Sequence, residues 1–189
     1  STMFRFYISV VCNFLMALTV LPFDASAQPV PRLQLANHYH QNVAVQNYWI
    51  SEKLDGVRAY WNGSEFLSKK GNVYQAPKWF TQDFPDFPLD GELWLARNTF
   101  DELSGIVRKK VPVDGEWRKV SYQVFDLPNN PAIFDKRLRV LETLFSQAGV
   151  EEGRWPEWLA LVDQFKVKGH VDLMAYLDQV IQRGGEGLM

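Results

Sequence analysis

Apolar and polar positions follow two different periods along the chain, and the places where one gives way to the other sketch the fold. Val57 to Trp61 and Glu65 to Ser68 read as strands on either side of Asn62-Gly63. Both positions of that dipeptide tolerate positive φ, which makes it a strong signal for a short hairpin. Leu89 to Leu95 and Val120 to Leu127 are further strand segments. Helical spacing enters between and after them. Thr99 followed three residues later by Glu102 has the form of a capping box and predicts a helix to about Arg108. Asn130-Pro131 offers an N-cap and a first-turn proline; Phe134, Leu138, Leu141, Phe145 and Ala148 then share one helical face, and Gly149 closes the element. A last helix is expected from Leu173 to Gln182, ending at Gly184-Gly185. Strands and helices in this irregular order predict an α+β fold, an antiparallel sheet flanked by helices rather than repeated βαβ units.

The amino terminus departs from that pattern. Arg5 precedes an apolar run from Phe6 to Leu21, which is broken at Pro22 and followed by Ala25-Ser26-Ala27. A charged start, an apolar middle and small residues at the end are the form of a secretory signal. The run holds Ser9, Asn13 and Thr19 and is short for a membrane span, which needs about 20 apolar residues; an uncleaved anchor or a buried helix is the alternative. Cleavage after Ala27 would leave residues 28–189 as one exported, periplasmic domain, and would remove Cys12, the chain's single cysteine. A chain without thiols suits an oxidising compartment, since nothing can mispair. The Pro/Gln-rich lead from Gln28 to Gln34 is expected to be loose.

With 189 residues, 47% hydrophobic and 14% aromatic, the chain can build one sizeable core. Disulfide scaffolds are excluded. Lys and Arg number 20 against 22 Asp and Glu, a net charge of −2, so any nucleic-acid surface must be local rather than a property of the whole molecule. Lys69-Lys70, Arg108-Lys109-Lys110 and Lys136-Arg137 with Arg139 are three basic clusters, readable as a phosphate-tracking face or as ordinary solvated surface. No GxxxxGK[ST] loop and no GxGxxG turn occurs, so a P-loop or dinucleotide crevice has no support. His38, His40 and His170 with one cysteine do not form a zinc pattern, and His38 and His40 read as solvent-facing.

What remains is charge at strand ends. Ile50-Ser51-Glu52-Lys53-Leu54-Asp55-Gly56-Val57-Arg58 sets a lysine between Ile50 and Leu54 on a predominantly apolar segment. Such a lysine is either a surface cation or a buried amine whose depressed pKa makes it a nucleophile. Asp55-Gly56 allows a tight turn that returns the carboxylate toward the amine, with Arg58 on the same strand side as Gly56. Read bare, the segment is equally a surface hairpin, and Arg58 equally a cross-strand ion pair. Glu92 lies between Gly91 and Leu93, and Glu186 between Gly185 and Gly187 just ahead of Leu188; on such apolar segments an unpaired carboxylate is costly, and Phe125 could be plain core.

The nonapeptide resembles the Lys-x-Asp-Gly-x-Arg signature of covalent nucleotidyltransferases, the superfamily of DNA ligases, RNA ligases and mRNA capping enzymes. Asp90-Gly91-Glu92-Leu93, Val124-Phe125-Asp126-Leu127 and Glu186-Gly187-Leu188-Met189 are similar to its later motifs and follow in the family's order. Trp61 and the stretch from Arg97 to Arg108 look like the small ATP-dependent DNA ligases that carry a secretion signal in Gram-negative bacteria. The resemblance implies that Lys53 attacks the α-phosphorus of ATP, forms lysyl-AMP and expels pyrophosphate, with Asp55 orienting the amine. Glu52, Arg58, Glu92 and Phe125 would hold the nucleotide, Phe125 stacking on adenine and Arg58 meeting the ribose or the nick phosphate. Glu92 and Glu186 would face Mg²⁺ or Mn²⁺. AMP would then pass to the 5′-phosphate of nicked double-stranded DNA, touched by Lys69, Lys70 and Arg108. No protein partner is implied, and a monomer is expected.

Departures from the family bear on this. Ser68-Lys69-Lys70-Gly71 puts Lys69 where the family has arginine, which keeps the charge and loses the two-pronged grip on phosphate. The fifth motif, Lys-x-Lys, and the oligonucleotide-binding domain would lie past Met189, so the resemblance implies an adenylation domain incomplete at its carboxyl end, impaired in self-adenylation and unable to seal DNA. An RNA ligase or capping-type enzyme, and a secreted nucleic-acid-binding module without catalysis, are the alternatives.

Overall fold

The turn at Asn62-Gly63 shows how local chemistry starts the sheet. The Asn62 side-chain oxygen accepts the N–H groups of Ser64 and Glu65, both at 2.9 Å, and Gly63 takes φ +100°, a left-handed geometry open to glycine. The flanking strands β1 (Val57–Trp61) and β2 (Phe66–Leu67) pair antiparallel, Tyr60 against Leu67 and Trp61 against Phe66. With β3 (Val73–Tyr74), β4 (Leu89–Trp94), β5 (Ser121–Asp126) and β6 (Leu159–Leu161) they form one sheet in the order β3-β2-β1-β4-β5-β6. This computed structural model describes residues 27–36, 39–150 and 154–189. The signal-like run through Ser26 and His38 lie outside the described residues.

Alternation along the strands divides the sheet into two unlike faces. Val57, Ala59 and Trp61 of β1, with Leu89 and Leu93 of β4, point into the main core. There they meet Phe80 of α1 (Lys78–Thr81), Leu103, Ile106 and Val107 of α2 (Phe100–Val107), and Trp117 of α3 (Asp114–Trp117). Arg58, Asp90 and Glu92 occupy the alternate positions. A second, smaller cluster of Val45, Ile50, Val167 and Leu173, with Phe165 and Leu188 against it, anchors the chain just before Lys53.

The α+β expectation holds, with one correction to the sheet. β5 and β6 pair parallel, Tyr122 against Leu159 through Val124 against Leu161, while every other neighbouring pair is antiparallel. A parallel pair needs a crossover, and α4 (Phe134–Val150) supplies it, burying Leu138, Leu141 and Ala148. This helix starts later than Asn130-Pro131 implies because the Asn130 side chain accepts the Ala132 N–H at 2.9 Å and forms a turn ahead of it. It also runs through Gly149 instead of closing there.

Two other helix starts differ from expectation. Thr99 is the N-cap of α2, but its hydroxyl accepts the Ala96 N–H at 3.1 Å and donates to the Ala96 carbonyl at 2.6 Å, so no capping box forms. Glu102 pairs instead with Lys119 at 3.4 Å. The helix α5 (His170–Gln182) begins three residues before Leu173, after Gly169. The lead is not loose: the Gln28 N–H donates to the Gly71 carbonyl at 3.0 Å, and the Gln34 carbonyl accepts from Arg58 at 2.6 Å. Gly71 sits at φ +82°, and an added Cβ would fall 2.1 Å from the Gln28 carbonyl oxygen, so this contact requires glycine. Among the described residues no helix is long and apolar enough to cross a membrane.

Candidate active site

The polar face gathers residues from distant parts of the chain because β1 and β4 pair in register, Arg58 opposite Glu92 and Tyr60 opposite Asp90. A bulge at Asp90 and Gly91 changes the pairing with β5: Asp90 faces Asp126, but Gly91 faces Val124. Phe125 is left as the extra residue. Bulges redirect side chains and are frequent beside active sites; here the Arg58 guanidinium carbon lies 5.2 Å from the centre of the Phe125 ring. Gly91 allows β5 this close, since a Cβ there would lie 2.5 Å from the Gln123 carbonyl oxygen.

Arg58 is more committed than its motif role suggests. Its Nε and Nη2 grip the two Asp90 oxygens at 3.2 and 2.6 Å. Asp90 is fully buried, and burial raises its carboxyl pKa against the opposing pull of Arg58. Asp126 is held in the same way by Arg137, at 2.8 and 3.1 Å. The basic cluster at Lys136 to Arg139 therefore loses its middle member to the sheet, which corrects its reading as part of a phosphate-tracking face.

Glu92 accepts the Gly56 N–H at 2.9 Å. Burial pushes its carboxyl up to about 7, opposed by that N–H and by Arg58 and reinforced by Glu186. Gly56 shows why the Asp-Gly turn is needed: an added Cβ would lie 2.4 Å from the Leu93 carbonyl oxygen and 2.7 Å from Glu92 Cγ. The turn brings Lys53 around to the polar face only because glycine lets it press onto β4.

Lys53 and Glu186 meet although 133 residues separate them. The segment that carries Glu186 is laddered onto the lysine's own segment: the Lys53 N–H donates to the Gly187 carbonyl at 2.9 Å, and Ser51 and Met189 exchange bonds at 2.9 and 2.8 Å. The amine forms an ion pair with Glu186, with side chains 46% and 44% exposed. Of the two readings of the lysine, the structure takes the exposed one, because the ladder covers one side of its segment and leaves the amine open to solvent. Its partner is Glu186, rather than the Asp55 that the turn is expected to return toward it. Glu52 turns the other way, into a bidentate pair with Arg97 at 2.7 and 2.8 Å. That arginine escaped sequence reasoning as a site residue, since no spacing rule links positions 52 and 97.

Glu52, Lys53, Arg58, Glu92, Phe125 and Glu186 are thus tied together through the β1–β4 pairing and the ladder beside it. Lys69, Lys70 and Arg108 stand apart. The two lysines are exposed in the β2–β3 turn, and Arg108, at the end of α2, lies close enough to Tyr74 of β3 to lower its phenol pKa against the dominant rise from burial. The three therefore share the β3 edge of the sheet. Lys109, their neighbour, is neutralised by both Glu116 oxygens at 2.6 and 2.7 Å. Among the described residues no group of three or more acidic, His or Cys side chains forms a metal cluster. Glu92 and Glu186 are a two-carboxylate set, near enough that the Glu186 charge helps raise the Glu92 carboxyl.

No family model matches the sequence. The chain is 36% identical over 152 residues to a DNA ligase of Haemophilus influenzae, covering 80% of this chain and 54% of that protein. A solved structure from a study of Lig E DNA ligases, concerned with DNA binding on a minimal scaffold, superposes with a TM-score of 0.73 at 40% identity, covering 85% of this chain and 61% of that one. A Chlorella virus DNA ligase-adenylate matches in fold, with a TM-score of 0.58 at 20% identity over 75% of this chain and 51% of that one. The chain spans somewhat more than half the length of these relatives. Its α+β fold, a six-stranded sheet flanked by helices, matches these neighbours, and by sequence and fold together the chain is related to DNA ligases.

Proposed function

We propose that the chain is the nucleotide-activating part of an ATP-dependent DNA ligase, in which Lys53 becomes transiently bonded to AMP. The observation that carries the reading is the meeting of the Lys53 amine with Glu186, beside Glu92, on a face where Arg58 and Phe125 also gather. In the reaction the Lys53 Nζ lone pair forms a bond to the α-phosphorus of ATP while the bond from that phosphorus to the bridging oxygen breaks, and pyrophosphate leaves. An amine suits the task because a phosphoramidate persists yet still gives up AMP. An ammonium cannot attack, so a proton must leave Nζ first; Glu186 is the group in contact with it. Phe125 would take the adenine ring, and Arg58 would offer the donor it now gives to Gln34.

Two hard oxygen donors that share an electrostatic environment fit Mg²⁺ or Mn²⁺, ions bound through one or two carboxylates and completed by substrate phosphates. Glu92 and Glu186 would hold it, and its charge would favour the neutral amine and offset that of the phosphates. AMP then passes to the 5′-phosphate of nicked duplex DNA. The lysines at 69 and 70, which have no ion-pair partner among the described residues, with Arg108 on the same sheet edge, support duplex contact that weakens steeply with salt. The signal-like amino terminus supports a periplasmic protein, with residues 28–189 as its catalytic domain acting as a monomer.

Intact-mass analysis of the full-length protein after incubation with ATP and Mg²⁺ tests this. The expected result is one AMP adduct, at Lys53, absent in Lys53→Ala and not formed with GTP in parallel. An adduct that survives Lys53→Ala, or a preference for GTP, would overturn the reading.

A further inference from the structure

The loop between β4 and α2 contributes nothing to the chemistry above, yet it reaches both halves of the site. Arg97 grips Glu52, the residue before Lys53, with Nε to Oε1 at 2.7 Å and Nη2 to Oε2 at 2.8 Å. Asn98, its neighbour, donates from Nδ2 to the Gly184 carbonyl at 3.3 Å, two residues before Glu186. Asn98 does so at φ 59°, the only non-glycine with positive φ among the described residues. That conformation is uncommon and persists where the surroundings dictate it. Thr99 closes the loop onto Ala96 through two hydrogen bonds. Between the two grips, Gly185 packs so closely that an added Cβ would lie 2.9 Å from Glu52 Oε1.

The Lys53–Glu186 pair cannot fix its own geometry. Both side chains are nearly half exposed, and an exposed ion pair contributes roughly 0–1 kcal/mol. Order must come from the segments that carry them, which are laddered together at Lys53 and Gly187 and clamped from the side by the loop. We propose that Arg97 and Asn98 are positioning residues that set the separation of the Lys53 amine and the Glu186 carboxylate by holding their two segments to one rigid loop. Arginine suits the first grip because its planar fork fixes angle as well as distance, which a lysine does not. Asparagine suits the second because it tolerates the left-handed backbone that aims its amide at Gly184. The catalytic consequence rests on the proposed function; the geometric one does not.

The test uses Arg97→Gln, Arg97→Lys and Asn98→Gly in the full-length protein. Asn98→Gly removes the amide while relieving the backbone, so its thermal midpoint is expected to hold or rise. The first readout needs no nucleotide: the rate at which an amine-acylating reagent modifies Lys53 relative to the protein's other lysines, followed by peptide mass spectrometry. Release of the amine from Glu186 is expected to raise that relative rate by up to about fivefold in Arg97→Gln and Asn98→Gly, the equivalent of losing an exposed ion pair. The second readout is self-adenylation, where kcat is expected to fall about 10- to 100-fold with the KM for ATP held within about twofold, since misplacement of a reacting group is felt in the chemical step. Arg97→Lys should recover little of either.

Unchanged Lys53 reactivity in folded Arg97→Gln and Asn98→Gly would overturn the clamp whatever the enzyme does. Altered reactivity in variants of a wild type that never forms an AMP adduct would support the clamp and overturn the proposed function instead. Altered reactivity with undiminished kcat would overturn the catalytic half, as would full recovery in Arg97→Lys.

Discussion

Two arginine–aspartate pairs and one lysine–glutamate pair are built from the same kinds of charge, and burial separates them. The Asp90 and Asp126 side chains are 0% and 2% exposed, face one another across β4 and β5, and are each gripped by an arginine. Lys53 and Glu186 are 46% and 44% exposed. A buried carboxylate cannot exchange its partner for water, so removing its arginine strands a charge in a poor dielectric. A half-exposed pair can open at little cost because water takes over each charge. The first arrangement suits a scaffold and the second a nucleophile that must release one partner to meet another. Lys53 and Arg58 lie a few residues apart on either side of the Asp55-Gly56 turn, so scaffold and reactive group are set side by side by alternation and one tight turn.

The sharpest way to break this contrast is to remove a buried carboxylate. Asp126→Ala leaves the largely buried Arg137 guanidinium uncompensated and is expected to cost about 3–5 kcal/mol, read as a drop in the urea midpoint at unchanged slope. Replacing both partners by apolar residues of similar volume should restore much of that loss.

Glu92 gives an intermediate case, half-buried and without a full ionic partner. Its carboxyl is raised from 4.5 to about 7, so the folded state holds this proton more tightly than the unfolded chain does. Stability contributed by that proton is therefore complete below about pH 4.5 and is lost as pH rises through about 7. Glu92→Gln, which can still accept the Gly56 N–H, should flatten this part of the stability–pH curve and leave the variant more stable than wild type at pH 8. Denaturant titrations at several pH values check it. Equal slopes in both proteins would place the proton elsewhere, with the raised carboxyl of Asp90 the next candidate.

A neutral buried link calibrates the charged ones. The Tyr122 hydroxyl contacts the Ala59 and Leu89 carbonyl oxygens at 2.8 and 3.1 Å, tying β1 to β4 inside the core. Tyr122→Phe leaves the shape intact and should cost about 1–2 kcal/mol in the same denaturation experiment. A loss as large as that from Asp126→Ala would mean that charge adds nothing special to the buried pairs.

Sequence patterning reached the elements whose signals are local. The Asn62-Gly63 hairpin, the strands β4 and β5 and the apolar face of α4 all follow from turn chemistry and periodicity and are present in the structure, although only Gly63 of the turn takes positive φ and Asn62 acts through its side chain. It could not reach β3 or β6, which have two and three residues and show too little alternation to register. With β6 invisible, so was the one parallel pairing. Thr99 and Asn130 illustrate a second limit: their side chains bind nearby backbone in more than one way, and neighbouring geometry chose a local turn over the expected cap. The candidate site divides in the same manner. Motif order brought Lys53, Glu92 and Glu186 together on paper, but the exposure of the amine depends on a ladder with Gly187, and the brace on Glu52 comes from a loop 45 residues away. Both are facts of chain return, which periodicity does not encode.

The smallest effect on stability is expected where the consequence for chemistry is greatest. Glu186→Gln removes the charge that faces Lys53, and because the pair is nearly half exposed it should change stability by less than about 1 kcal/mol, a shift of at most about 4 °C in the thermal midpoint for a chain of this size. A double-mutant cycle with Lys53→Met should give a coupling in the same range, shrinking further as salt is raised. Formation of the AMP adduct should nonetheless fall sharply in Glu186→Gln, because the group in contact with the amine proton is gone. A coupling of about 3 kcal/mol that ignores salt would mean that the pair behaves as a buried one. Lys53 would then be locked to its partner as firmly as Arg137 is to Asp126, and an amine held that tightly has no free state from which to attack.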